Sequence, residues 1–280
     1  MPTTAAPVPT HHPKRFRRLL LTGAAGGLGQ VLRPRLRALA ETLRVSDIAD
    51  PGAAAAGEEV VPPARSDLAD KAAVLAMLEG VDAVVHLGGV STEQAFETIL
   101  PANIVGTYHV YEGARLAGTR RIVFASSNHV TGFYRQSETI TPRSLPRPDG
   151  YYGLSKAFGE NLAQFYFDRH GLETVSLRIG SSFPAPRGRR GLSSYLSFDD
   201  LERLVVAALT APVVGHSIIY GVSANRSVWW DNRSASHLGY APQDTSEPWR
   251  AELEAAQPLI GRHDPEAVYQ GGPFVTMGPF

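Results

Sequence analysis

Tyr152-Gly153-Leu154-Ser155-Lys156 sets a phenol and an ammonium four residues apart. On a helix that spacing puts both side chains on one face, so they can address one ligand. A phenol titrates near ~10 and is a poor base at neutral pH, but a neighbouring cation favours the phenolate. Tyr-x-x-x-Lys also arises by chance as a surface tyrosine beside a solvated lysine, so its context decides. Upstream, Ile122-Val123-Phe124-Ala125-Ser126-Ser127 reads as a strand ending in two hydroxyls. A parallel strand delivers its C-terminal end to the crevice where open α/β sheets bind ligands. Ser127 could there hydrogen-bond a reacting oxygen, while Ser126 is expected to cap the following turn.

A second constellation lies near the start. Thr22-Gly23-Ala24-Ala25-Gly26-Gly27-Leu28-Gly29 joins a β-type run to a helical pattern, the context in which spaced glycines bind a dinucleotide. Gly23 permits the tight turn, Gly26 the close approach of a pyrophosphate, and Gly29 close packing of helix on strand. The helix N-terminus offers free N–H groups and the positive end of its dipole. Asp47 ends the second strand at the distance where an acidic side chain accepts hydrogen bonds from the adenosine ribose. Ile48 follows it, with no arginine at once to hold a 2′-phosphate, which favours NAD over NADP. Asp67-Leu68 ends a third strand and either faces the adenine or caps a helix. Lys156 could then serve twice, as the cation beside Tyr152 and as a ligand of the nicotinamide ribose.

Positioning these groups requires alternating strands and helices, and the chain supplies them. Strands are predicted over 17–22, 41–47, 82–87, 121–126, 174–179 and 216–220, with a weak one over 59–61. Helices are predicted over 30–40, 71–78, 93–117, 151–169 and 198–210, the last capped by Ser197. Pro34 should kink the first of them. Beyond Gly180 the chain reads as an irregular loop carrying Arg187, Arg189 and Arg190, and Trp229 and Trp230 read as packing of a small C-terminal region. The fold class is therefore α/β, a Rossmann-type doubly wound parallel sheet. Its domains are a flexible tail over 1–13, in which His11 and His12 are exposed bystanders, a nucleotide-binding domain over 14–180 and a small substrate-binding region over 181–280.

Composition narrows the partners. The chain has 280 residues, 43% of them apolar, which suits one large domain with a small appended region. Its 27 basic and 27 acidic residues cancel, so no net field collects nucleic acid or anionic lipid. Without cysteine there is no disulfide, thiolate nucleophile or Cys-type metal site, which fits a cytoplasmic enzyme. Lys14, Arg15, Arg17 and Arg18 precede Leu19-Leu20-Leu21 like the start of a signal peptide, but the apolar run dissolves into the glycine turn. No stretch approaches the ~20 apolar residues of a membrane span.

The glycine turn, Ser127, Tyr152 and Lys156 together resemble the short-chain dehydrogenase/reductase superfamily over about residues 17–230. Leu87-Gly88-Gly89-Val90-Ser91, Ser126-Ser127-Asn128-His129, Arg178-Ile179-Gly180-Ser181, Trp229-Trp230-Asp231-Asn232 and Tyr269-Gln270-Gly271-Gly272 are similar to its extended-type uronate dehydrogenases, as is the closing Gly278-Pro279-Phe280. The resemblance implies NAD-dependent oxidation of D-glucuronate or D-galacturonate at the anomeric carbon to an aldarolactone, with Tyr152 as base assisted by Ser127 and Lys156. It implies that Gly23, Gly26, Gly27, Leu28, Gly29, Asp47, Asp67, Leu68, Leu87, Gly88, Asn103 and Lys156 hold NAD. Ser91, Ser127, Asn128, His129, Tyr152, Ser181 and Arg190 would hold the sugar, Arg190 forking onto its carboxylate, with Arg189 or Arg187 as alternatives. His129 is assigned contact rather than acid–base work. The resemblance also implies a homo-oligomer with no metal, nucleic-acid or membrane partner. A nucleotide-sugar epimerase or dehydratase shares these motifs but carries a larger C-terminal region; a non-catalytic NAD sensor would not need Tyr152 and Lys156.

Overall fold

Leu19, Leu20 and Leu21 explain why the strand sequences read as unbroken apolar runs. Leu19 and Leu21 belong to the core on one face of the sheet and Leu20 to the core on the other, so both faces are covered. In the computed structural model, which describes residues 14–256, 261 and 263–278, seven parallel strands run in the order β3-β2-β1-β4-β5-β6-β9. They are β1 (Phe16–Thr22), β2 (Ala40–Ser46), β3 (Glu58–Val60), β4 (Ala83–His86), β5 (Arg121–Ser127), β6 (Glu173–Ile179) and β9 (His216–Gly221); β7 (Ser181–Ser182) and β8 (Tyr195–Leu196) form a separate parallel pair. The strand order reverses between β1 and β4, which opens a crevice at their C-terminal ends. The tail over 1–13, with His11 and His12, and the closing Pro279-Phe280 lie outside the described residues.

Helices α1 (Gly27–Leu36) and α7 (Phe198–Thr210) cover one face through Leu32, Leu36, Leu201 and Leu204. Helices α2 (Lys71–Leu78), α4 (Thr107–Ala117) and α5 (Tyr151–His170) cover the other through Val74, Leu78, Val110, Tyr111, Ala163 and Tyr166. The predicted Rossmann-type sheet is therefore the observed one. Ser197 does cap α7, accepting from the Asp200 N–H at 2.9 Å.

Three expectations need correction. The helix predicted over 93–117 starts as α3 (Phe96–Ile99), widens into a π-helix over Leu100–Gly106 and resumes as α4. Pro101, which has no N–H to donate, stands at the start of the π-helix. The helix predicted over 30–40 begins three residues earlier and gives way to a 3-10 turn at Arg37–Leu39, so Pro34 lies near its end. The arginine-rich stretch beyond Gly180 is not irregular: α6 (Gly188–Ser194) carries Arg189 and Arg190 between β7 and β8. Two further short helices, α8 (Arg250–Ala256) and α9 (Pro265–Val268), complete the C-terminal region. No helix among the described residues is long and apolar enough to cross a membrane.

Candidate active site

The crevice is a cleft of about 1600 Å³ walled by the ends of β1, β2, β4, β5 and β6 and by the region beyond Gly180. At one end lies the glycine turn. Gly23 has φ of 72°, and a Cβ there would stand 2.7 Å from the Leu87 carbonyl carbon; a Cβ on Gly29 would overlap the Gly23 carbonyl. The N-cap of α1 is Gly26, no side chain caps it, and no acidic residue occupies its first turn. That leaves backbone N–H groups and the helix dipole directed into the cleft for an anion. Asp47 accepts from the Ala25 N–H through Oδ2 and from the Ala49 N–H through Oδ1, both at 2.9 Å. It thus ties the end of β2 to the glycine turn while still lining the cleft.

Asp67 is exposed on the cleft wall and holds its own loop through the Ala69 N–H at 2.8 Å. The cap of α2 is Asp70 instead, which accepts from Ala72 and Ala73. Leu68, Leu87 and Gly88 also line the cleft, with the Gly88 N–H donating to Thr22 Oγ1 at 3.1 Å. Asn103 does not reach it. Its amide is buried, accepting from the Val90 N–H at 2.7 Å and donating to the Val90 carbonyl and Ser155 Oγ, each at 3.0 Å. The π-helix that carries Asn103 thereby rivets the Gly88–Val90 loop to α5.

At the other end, α5 presents Tyr152 and Lys156 on one face and β5 ends at Ser127, and all three line the cleft. Lys156 Nζ lies 5.6 Å from the Tyr152 ring centroid and 5.2 Å from that of Phe124. Burial pushes the Tyr152 phenol up to about 12, the neighbouring Ser127 hydroxyl acting the other way. Burial likewise brings the Lys156 ammonium down to about 8. In the protein alone, desolvation therefore outweighs the assistance expected from the spacing. Ser127, not Ser126, caps the turn, accepting from the His129 N–H at 3.2 Å. Ser126 donates to Glu160 at 2.6 Å, and Glu160 takes a two-pronged hydrogen bond from buried Arg178 at 2.8 and 2.9 Å. Packing and this buried ion pair hold α5 against the sheet.

The arginines separate clearly. Arg187 is exposed and stacks on Phe183, its Cζ 3.7 Å from the ring centroid. Arg189 donates to the Glu254 carbonyl. Arg190 points into the site: Nε donates to the Gln270 carbonyl at 2.8 Å and Nη1 to Ser181 Oγ at 3.2 Å. With the Asn128 amide oriented to suit its neighbours, its oxygen accepts from Arg190 Nη2 at 2.7 Å and its nitrogen donates to the Ile179 carbonyl at 3.0 Å. Burial lowers Arg190 to about 10, Asp149 acting the other way. No carboxylate among the described residues forms a salt bridge with it. Ser91 is exposed at the cleft wall. His129 lines the cleft with one face stacked on Phe274, ring centroids 3.7 Å apart. Trp230 is packing, stacked on Tyr220 at 4.9 Å, whereas Trp229 also borders the cleft.

The family profile described as the NAD dependent epimerase/dehydratase family matches residues 19–215. Uronate dehydrogenase of Pseudomonas putida is 61% identical, over 95% of this chain and 98% of its own. Uronate dehydrogenase of Agrobacterium fabrum is 49% identical over 93% and 97%. A crystal structure of uronate dehydrogenase from Agrobacterium tumefaciens, a tyrosine-to-alanine mutant complexed with NAD, superposes with a TM-score of 0.91 at 48% identity, covering 95% of this chain and 99% of that one. The chain belongs to the NAD-dependent epimerase/dehydratase family, among the uronate dehydrogenases. As a member of that family it is an NAD-dependent oxidoreductase, and its glycine turn has the unobstructed backbone that a dinucleotide requires.

Two site residues of this family member escaped the sequence reading. Glu93, buried, accepts from the N–H groups of Tyr151 and Tyr152 at 2.8 Å each and so caps the helix that carries Tyr152. Asp149 sits where a helix N-cap would be read, yet Gly150 is the cap and the Asp149 carboxylate turns to His129 Nδ1 at 2.7 Å. Only the position of Asp149, next to a predicted helix start, was a signal; the partner of Glu93 is 58 residues away.

Proposed function

We propose that the chain oxidises D-glucuronate or D-galacturonate at the anomeric carbon and releases the aldarolactone. The observation that carries the reading is Arg190, a half-buried guanidinium without a carboxylate partner among the described residues, in the same cleft as Ser127 and Tyr152. A charge withdrawn from water gains from a partner, and a planar fork suits a carboxylate. Three other elements hold that fork in place: Ser181 in β7, Asn128 after β5 and the backbone of Gln270.

Gly23, Gly26, Gly27, Leu28 and Gly29 would cradle the pyrophosphate of NAD, Asp47 would take the adenosine ribose, Asp67, Leu68, Leu87 and Gly88 would line its path, and Lys156 would take the nicotinamide ribose. Bound NAD supplies the hydride acceptor. Ser127 donates a hydrogen bond to the anomeric oxygen, and the Tyr152 phenolate takes that oxygen's proton. Lys156, held close to the phenol ring, favours the phenolate once its ammonium is stabilised by ligand hydroxyls. C1 of a pyranose already bears the ring oxygen, so loss of hydride and proton leaves a lactone without a further step. Ser91, Asn128, His129 and Ser181 provide the remaining polar contacts. Self-association is proposed for the face of α5 that exposes Tyr151, Leu154 and Phe165, and sedimentation of the purified protein tests it.

The decisive measurement mixes purified protein and NAD with D-glucuronate, D-galacturonate, D-glucose or D-galactose and follows NADH. Turnover of the uronates with little of the aldoses is expected, with the lactone identified by NMR. Equal turnover of aldoses would remove the carboxylate clamp, and no NADH with any sugar would overturn the reading as a whole.

A further inference from the structure

Asp149 is a carboxylate placed with unusual care. Its side chain is fully buried, and among the described residues only Oδ2 of its two oxygens has a partner, the Nδ1 of His129 at 2.7 Å, while Oδ1 accepts from none. Glycines from separate segments make room for it: a Cβ on Gly132 or Gly271 would overlap Oδ2, and one on Gly153 would stand 3.2 Å from Oδ1. A carboxylate can only accept, so the Nδ1 of His129 carries the proton of that bond. The stacked ring of Phe274 and the tie of the His129 N–H to Ser127 Oγ fix the imidazole further. What remains open is the Nε2 edge, which has no partner among the described residues and is not sealed from the cleft.

We propose that Asp149 is a positioning residue that locks His129 in the Nδ1–H tautomer, so that Nε2 faces the substrate as a hydrogen-bond acceptor. This rests on the uronate reading. Among the side chains proposed to contact the sugar, the Tyr152 phenolate is committed to the anomeric proton, Arg190 can only donate, and Ser91, Ser127, Asn128 and Ser181 can each donate as well as accept. Nε2 in this tautomer can only accept. It therefore pairs with a sugar hydroxyl and repels a carboxylate, which restricts the substrate to the orientation with its carboxylate at Arg190. The dyad reads which end of the sugar lies where, and it does so without a proton transfer. Burial lowers His129, partly offset by Asp149, in keeping with a neutral imidazole.

The tautomer is read directly from the ¹⁵N shifts of His129 in selectively labelled protein, without substrate. A protonated Nδ1 and a bare Nε2 near neutral pH are expected; a protonated Nε2, whether as the other tautomer or as an imidazolium, would overturn the proposal. Addition of NADH and sodium D-glucuronate should move the Nε2 resonance as for an accepted hydrogen bond, and protonation of Nε2 on binding would again overturn it. Asp149→Asn, which keeps an acceptor, should retain the tautomer and a near-normal KM for glucuronate. Asp149→Ala should release the tautomer and raise that KM at least tenfold, with a smaller change in kcat and in NAD affinity. Should glucuronate fail to bind the wild-type protein at all, the uronate reading falls, while the ligand-free spectrum still decides the tautomer.

Discussion

Half-buried Arg190 and buried Lys156 are two cations under opposite demands. Truncating Arg190 to alanine leaves Ser181 and Asn128 without their donor and the proposed carboxylate without its fork. Loss of such a charged partner costs about 2 kcal/mol or more, so KM for uronate should rise roughly 30-fold, with NAD affinity changed less than twofold; steady-state kinetics and calorimetry check both. Lys156 is displaced from 10.5 to about 8 by burial. Below pH ~8 the folded and unfolded chains both hold its proton, and folding must desolvate the ammonium. Between about 8 and 10.5 only the unfolded chain still holds it, so this group's contribution to stability rises with pH across that window. Lys156→Met should therefore stabilise the protein at pH 7 by up to roughly 3 kcal/mol, an advantage that shrinks towards pH 10.5, while turnover is lost. Urea denaturation at pH 7 and 9.5 tests the sign. Tyr152, Lys156 and Ser127 were legible as a set because a helix spacing and a strand end are local signals. The direction of the Tyr152 shift was not, because desolvation is a property of everything packed around the phenol.

Helix α5 shows how an element carries a site. Gly150 provides no side-chain cap, and Glu93 supplies both missing acceptors from a loop 58 residues earlier. Removing a cap typically costs about 1 kcal/mol, up to about 2. Glu93→Ala should thus lower stability by about that amount in chemical denaturation. It should also lower kcat, because the first turn that fixes the Tyr152 backbone frays, while Glu93→Gln, which keeps an acceptor, should recover part of both. The helix itself was plain in the sequence. Its cap was not, and neither was the π-helix that brings Asn103 to Val90, because both are settled by partners distant in the chain. Helix α6 is the complementary case: Gly188 and Gly191 weaken local helix preference, yet burial of Leu192 and the pairing of β7 with β8 hold the turn that aims Arg190.

Across the whole molecule, the site is closed by the C-terminal segment. Gln270 is buried and all its polar groups are used: its N–H donates to Tyr134, its carbonyl accepts from Arg190, its side-chain oxygen from Trp230, and its amide donates to Arg135 and Glu138. Phe274 then lies on His129. Ending the chain after Val268 should therefore abolish uronate turnover while leaving NAD binding within about threefold, since the glycine turn lies at the far end of the cleft. Fluorescence titration with NADH alongside the activity assay separates the two; equal loss of both would mean that the segment supports the fold rather than the site.

Short-range rules settled the alternation of strands and helices, the glycine turn, the helical spacing of Tyr152 and Lys156, and Asp47 at the end of β2. Each depends on backbone sterics or on side-chain period, which neighbouring residues fix. The motifs placed the chain in its family, and the comparisons bear that out. Tertiary structure alone decided which of three arginines is held by Ser181, Asn128 and the Gln270 backbone, which serine caps the turn after β5, and which carboxylates stand behind Tyr152 and His129. Those outcomes follow from burial and from hydrogen bonds between segments tens of residues apart, where the contribution of a side chain is set by its partners rather than by its neighbours in the chain.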